Sequence, residues 1–279
     1  MQVHSGSPRV GAARFSGSTM THIVLAAPCC LPLFLLAEPI HVQSPISTDR
    51  PGLLFSPLLV PPHRFQIEAG LPGVAWNQIG DARATTIGTP LQLRYGLCNQ
   101  LELRLLTTPF NFVDGRAAGS EFDESGFGDL ELGGKFALRD GRSGGLRAAA
   151  IAGVRLPTGE DSFSTGREAY SLNLAAGCDL APGTALTTLA GLARTPSGNE
   201  DAWVGTLGAQ LSRSFDESWT GYGELVQYSG IENARDQSFA GLGLTWLFDD
   251  NLQLDIGFDF GLNEAATDLQ GALGLSWRF

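Results

Sequence analysis

From His63 to the last residue the chain alternates apolar and polar positions with a period of two, the spacing that sends successive side chains to opposite faces of a β-strand. The pattern is clearest at the carboxyl end, where Leu273, Leu275, Trp277 and Phe279 share one parity and Ala272, Gly274, Ser276 and Arg278 share the other. Upstream, Phe65, Ile67, Ala69 and Leu71 oppose Gln66 and Glu68. Ile87, Leu91, Leu93 and Tyr95 oppose Gln92 and Arg94, and Leu101, Leu103 and Leu105 oppose Glu102 and Arg104. Leu130, Leu132 and Phe136 oppose Asp129, Glu131 and Lys135. Further runs cover 146–156, 169–180, 185–194, 202–213, 219–228, 239–248 and 252–262, so the pattern predicts twelve strands. Each has the ~9–11 residues that a tilted membrane-crossing strand needs.

The connections divide by parity. Those around Cys98, Gly141, Pro182, Asp216 and Asp250 are short and rich in Gly, Pro, Asp or Asn, whereas those around Gly73, Gly115, Gly159, Ser197, Glu232 and Glu264 are mostly longer and more polar. A barrel of the outer membrane requires short periplasmic turns, longer external loops and an even strand number. A soluble sandwich has no reason to segregate loops in this way, and lipocalin-like barrels usually close at eight strands. The expected fold is therefore all-β: a transmembrane antiparallel up-and-down β-barrel of about twelve strands over residues 63–279. A last strand that ends on an aromatic, with another two positions earlier, resembles the terminal signal read by the barrel assembly machinery. Leu275, Trp277 and Phe279 are its expected elements.

Ahead of the barrel, 23–37 reads IVLAAPCCLPLFLLA, too short to cross a hydrocarbon layer of ~30 Å as a helix and interrupted by Pro28 and Pro32. Residues 1–37 are expected to be a signal peptide, with Met20 an alternative start, and the mature chain to begin between Glu38 and Pro45. Residues 38–62 are expected to be a periplasmic lead-in, in which Pro45 to Leu54, with Asp49-Arg50-Pro51-Gly52, reads as a turn, a plug-like lead-in or a plain linker.

Composition agrees with that picture. The chain has 36 glycines, a single lysine and a mean hydropathy of +0.03, as expected when apolar residues are spread through alternating strands. Its net charge is −11; the first 37 residues carry only Arg9 and Arg14, so the remainder has 16 basic and 29 acidic residues, a net −13. Nucleic-acid binding is disfavoured, because it needs a basic face. Beyond the leader only Cys98 and Cys178 remain, and spacing gives no metal site and calls for no cofactor.

Ionised side chains facing lipid at mid-depth would cost several kcal/mol each, so those on the polar parity must face the lumen. The candidate lumen-lining and selectivity residues are Glu68, Arg94, Glu102, Arg104, Asp129, Glu131, Lys135, Arg155, Glu224, Asp255 and Asp259. They either pair across the interior and stiffen the barrel, or contact water and select solutes. Catalysis finds no constellation: past the leader the histidines are His41 and His63, both at the periplasmic side, so no catalytic residue is assigned.

ISTDRPG from Ile46, GFGDLELGGKFAL from Gly126, LPTGE at Leu156–Glu160, and QLDIGFDFGLN at Gln253–Asn263 followed by SWRF together resemble the outer-membrane transporter family named after the meta pathway of phenol degradation. The resemblance covers nearly all of the chain beyond the leader. It implies a barrel in the outer membrane of a Gram-negative bacterium, in contact with its lipid, that takes up a small solute, often hydrophobic or aromatic. The alternative is a non-transporting structural or surface-interaction barrel; an outer-membrane hydrolase is a more distant reading.

Overall fold

A computed structural model describes residues 45–141 and 145–279; the expected signal peptide lies outside them. Fifteen strand segments follow in chain order: β1 (Phe65–Ile79), β2 (Ala82–Gly88), β3 (Leu91–Cys98), β4 (Leu101–Thr107), β5 (Asn111–Ala117), β6 (Ser120–Gly126), β7 (Leu130–Asp140), β8 (Arg147–Leu156), β9 (Ala169–Ala181), β10 (Thr184–Ser197), β11 (Glu200–Ser214), β12 (Trp219–Glu232), β13 (Gln237–Asp249), β14 (Leu252–Gly261) and β15 (Leu269–Arg278). They form one antiparallel sheet that closes on itself where β15 pairs with β1, in the register Gln66↔Arg278 to Trp76↔Leu269.

Three crossings are broken at similar height. β2 and β3 are one crossing interrupted at Thr89-Pro90, β4 and β5 one interrupted at 108–110, and β6 and β7 one interrupted at 127–129. Proline 90 has no N–H to give to the ladder, which is reason enough for a break inside a strand. Counting each broken pair once, the closed barrel has twelve strands, as the alternation predicts. Above the breaks, β2, β5 and β6 form an extension, and no pairing joins β6 to β8.

The connections differ from expectation. Gly73 and Gly115 lie inside β1 and β5, and several strands run on past the membrane to tight turns, such as Gly80-Asp81, where Gly80 has φ +59°. Loop length therefore separates the two ends of the barrel less sharply than polarity does.

The two faces are as the parity predicts. Leu93, Leu103, Leu132, Phe136, Leu172, Leu174, Leu207, Leu225, Leu242, Leu254, Phe258 and Leu273 point outward and are exposed, a continuous apolar belt. At the end bearing the carboxyl terminus, aromatic rings gather where an interfacial girdle belongs. Phe65 lies 4.5 Å from Tyr95 and 5.9 Å from Phe279, and Trp219 stacks on Trp246 at 5.8 Å. Buried residues are instead largely polar and lie inside: Glu102 and Lys135 are 0% exposed.

Candidate functional site

The interior is crossed by residues 45–62, the segment expected above as a lead-in. It enters beside the β13–β14 turn, where Ile46 N donates to Asp250 O at 2.8 Å. It then passes up the lumen, crosses it, and returns to the start of β1. Every stage is held by inward side chains of the wall.

On one side the hold is ionic. Arg94 on β3 donates from Nε and Nη2 to the two oxygens of Glu102 on β4, both at 2.8 Å, and from Nη1 to Glu68 on β1 at 2.6 Å. This fork also caps the segment's backbone, reaching Ser47 O at 3.0 Å and Leu58 O at 3.2 Å. Asp49 projects from the segment into the same cluster. It accepts from Arg104 Nη2 at 2.7 Å and Lys135 Nζ at 3.0 Å. Lys135 donates further to Ser56 O at 2.9 Å and Leu58 O at 3.3 Å. Burial alone would raise the Asp49 carboxyl; the nearby charges of Arg94, Lys135 and Arg104 outweigh it and hold the group well below the usual carboxylate range.

Beyond the cluster, Arg50 Nη2 reaches Asp255 Oδ1 on β14 at 3.2 Å, and Leu53 N donates to Glu224 Oε1 on β12 at 2.8 Å. From there the hold is apolar. Leu54 buries itself among Ile151, Ala175, Leu189 and Val226, with Leu53, Phe55 and Tyr228 packed alongside. Val60 N then donates to Glu102 Oε2 at 2.8 Å. Close approach fixes the return: a Cβ on Gly96 would lie 2.5 Å from Val60 O and nearer still to Pro61 O.

Of the sequence candidates, Glu68, Arg94, Glu102, Arg104, Lys135, Glu224, Asp255 and Asp259 are buried inside the barrel around this segment. Glu131 and Arg155 pair with each other at 3.1 Å nearer the external mouth, where both are more open. Asp129 falls in the break between β6 and β7 rather than on a strand. Its carboxylate accepts from Gly159 N at 2.9 Å and from Thr165 N and Oγ1 at 2.8 and 2.7 Å, which fastens the 157–168 loop over the break. Asp49 and Arg50 escaped sequence reasoning as site residues. Their one signal is a charge pair in an otherwise uncharged stretch, 45–62 holding no other Asp, Glu, Lys or Arg.

Above the segment an open cavity of about 470 Å³ is lined by Arg50, Glu68, Gln92, Glu131, Arg155 and Phe163. Its wall also includes Pro90, Leu91, Thr108 and Gly128, which sit at the three strand breaks.

A closed barrel with an apolar belt outside and paired charges within is a transmembrane β-barrel of the bacterial outer membrane. The chain belongs to the family described as "Putative MetA-pathway of phenol degradation", whose sequence profile matches residues 48–279. No curated protein sequence matches it. Among solved structures it resembles an outer membrane channel from Pseudomonas putida F1, at 17% identity and a TM-score of 0.63, over 80% of this chain and 97% of that one. It also resembles the transport unit of the autotransporter AIDA-I from Escherichia coli, at 12% identity and a TM-score of 0.55, over 89% and 94% of the two chains. The β domain of the Bordetella autotransporter BrkA matches at 14% identity and a TM-score of 0.54, over 78% and 100%. Likeness at these identities establishes the fold, which channels and autotransporter domains share.

Proposed function

We propose that this protein is a channel for a small, apolar or aromatic solute, and that residues 45–62 are its gate. The observation that carries the reading is the way this segment is held. Its polar half sits on an ionic cluster and its apolar half on Leu189 and Val226, so it fills the lumen at mid-depth without being part of the wall. The cavity above it is lined at the strand breaks by Pro90 and Leu91, and the family description points to aromatic chemistry. No covalent chemistry is assigned to any residue.

One observation favours the structural alternative. Glu68, Glu102 and Asp49 are matched by Arg94, Arg104 and Lys135, a balanced cluster that serves rigidity as well as gating. Planar-bilayer conductance and vesicle uptake of a small phenol separate the two. A chain lacking 46–60 should conduct and admit solute far more than the full-length protein; equally silent bilayers and vesicles from both would favour a structural barrel.

A further inference from the structure

Inward residues at one level of the wall make a row. Glu68 on β1 is paired in register with Gln92 on β3, Gln92 with Leu106 on β4, Leu106 with Glu131 on β7, and Glu131 with Arg155 on β8. All five line the cavity above the crossing segment, and Arg50 reaches it from the segment itself. Gly70 and Gly274, register partners on β1 and β15, leave the space in which the Arg50 guanidinium lies. A Cβ on Gly274 would crowd Nε and Nη2, and one on Gly70 would stand 3.3 Å from Nη1. Nη2 is anchored by Asp255 Oδ1 and Leu273 O, both at 3.2 Å.

The acids of this lining are engaged, whereas its arginines have N–H groups to spare. Glu68 accepts from Arg94 Nη1 at 2.6 Å, Gln66 Nε2 at 2.8 Å and Asp49 N at 3.0 Å. Asp129 is taken up by the 157–168 loop, and Glu131 by Arg155 Nη2. By contrast, Arg50 Nη1 and Arg155 Nε and Nη1 have no hydrogen-bond partner among the described residues. Two guanidinium groups, one held by the crossing segment and one nearer the external mouth, thus offer unused donors to a single cavity. Leu106 and Phe163 supply an apolar wall beside them.

We propose that the solute of this cavity is an aromatic monocarboxylate, with its carboxylate on Arg50 Nη1 and its ring against Leu106 and Phe163. The inference rests on the reading of the protein as a channel for a small aromatic solute, and adds the charge that solute carries. A neutral hydroxyl could accept one of these N–H groups, but a carboxylate accepts from a guanidinium about twice as strongly as neutral groups bond each other, and its planar oxygens suit the planar donor. A volume of about 470 Å³ is ample for one substituted ring and falls within the ~300–1,000 Å³ of small-ligand sites. Glu224 and Asp259 are not among the lining residues, so these two carboxylates do not face the bound anion.

Calorimetric titration of the purified full chain in detergent with benzoate, benzamide and acetate tests it. Benzoate should bind saturably. It should bind roughly tenfold or more tighter than benzamide, which keeps the ring without the charge, and than acetate, which keeps the charge without the ring. Arg50→Gln should weaken benzoate by roughly tenfold or more. Glu131→Gln leaves the Arg155 charge uncompensated and should tighten benzoate several-fold, a gain that misfolding does not produce. Arg116→Gln, exposed on β5, should change nothing. If Arg50→Gln frees the crossing segment, seen as fast chymotryptic cleavage after Phe55, Glu131→Gln carries the comparison. Equal affinity for benzoate and benzamide overturns the proposal, as does equal benzoate affinity in the parent and Glu131→Gln, or the lack of any saturable binding. The channel reading fails on a different result, silence in the conductance and uptake comparison with the chain lacking 46–60, so the two failures are distinguishable.

Discussion

Lys135 is the only lysine in the chain and is completely buried, with an ammonium shared among Asp49, Ser56 O and Leu58 O. Removing one partner of a buried ion pair leaves the other uncompensated, at a cost of about 3–5 kcal/mol. Lys135→Met keeps the volume and removes the charge, so residues 45–62 should dock more weakly by that order. The readout is chymotryptic cleavage after Phe55, which should be slow in the parent and fast in the variant; unchanged cleavage would mean that the ionic cluster does not hold the segment. Acid tests the same contact from the other partner. A carboxyl held below its free value of 3.8 stabilises the docked form fully above that pH and loses the contribution only as pH falls through the lower, docked value. Probed with pepsin, which is active in acid, cleavage after Phe55 should therefore still be slow at about pH 4, and release through the Asp49 contact should need stronger acid. Parity alone pointed Lys135 inward. Its partner was not legible, because Asp49 lies 86 residues away in a stretch with no periodicity.

At the scale of elements, what was legible was whatever period two controls. All twelve crossings follow from alternation, because each strand has lipid on one side and charge on the other. The breaks did not show, since Ile87 and Leu91 keep the same parity across Thr89-Pro90 and the pattern runs through the interruption unaltered. Nor did the course of 45–62, whose place is set by contacts such as Arg50 with Asp255, 205 residues apart. The last strand closes the barrel: Phe279 N donates to Phe65 O at 2.9 Å, and its ring packs against those of Trp277 and Phe65. Ser276 faces inward on the same strand, fully buried, with a hydroxyl that bonds nothing. Deleting Phe279 should therefore lower the yield of heat-modifiable, membrane-inserted protein far more than Ser276→Ala. Equal yields would remove the terminal aromatic from the assembly signal.

For the whole molecule, the inward charge decides which ions leak. Alternation points seven acids and four bases inward, of which Asp129 lies in a strand break, and the crossing segment adds Asp49 and Arg50, one of each sign. A cation preference is the expected outcome, but most of those charges are tied in pairs and contribute little at a distance. The unpaired remainder is Glu224 and Asp259, so they should carry the preference. Substituting Asp255 would be a poor test, because it would leave Arg50 unpaired and disturb the hold on residues 45–62 as well as the field. Glu224→Gln with Asp259→Asn breaks no ion pair, and the glutamine Oε1 can still accept from Leu53 N. Measured as reversal potentials in bilayers under a salt gradient, the parent should prefer cations and the double variant should prefer them much less. Raising salt should shrink the difference by screening, since the Debye length falls from about 10 Å at 0.1 M to about 3 Å at 1 M. An anion preference in the parent would overturn the assignment of these carboxylates to the conducting path, because acidic groups with no basic partner beside the lumen attract cations wherever water reaches them.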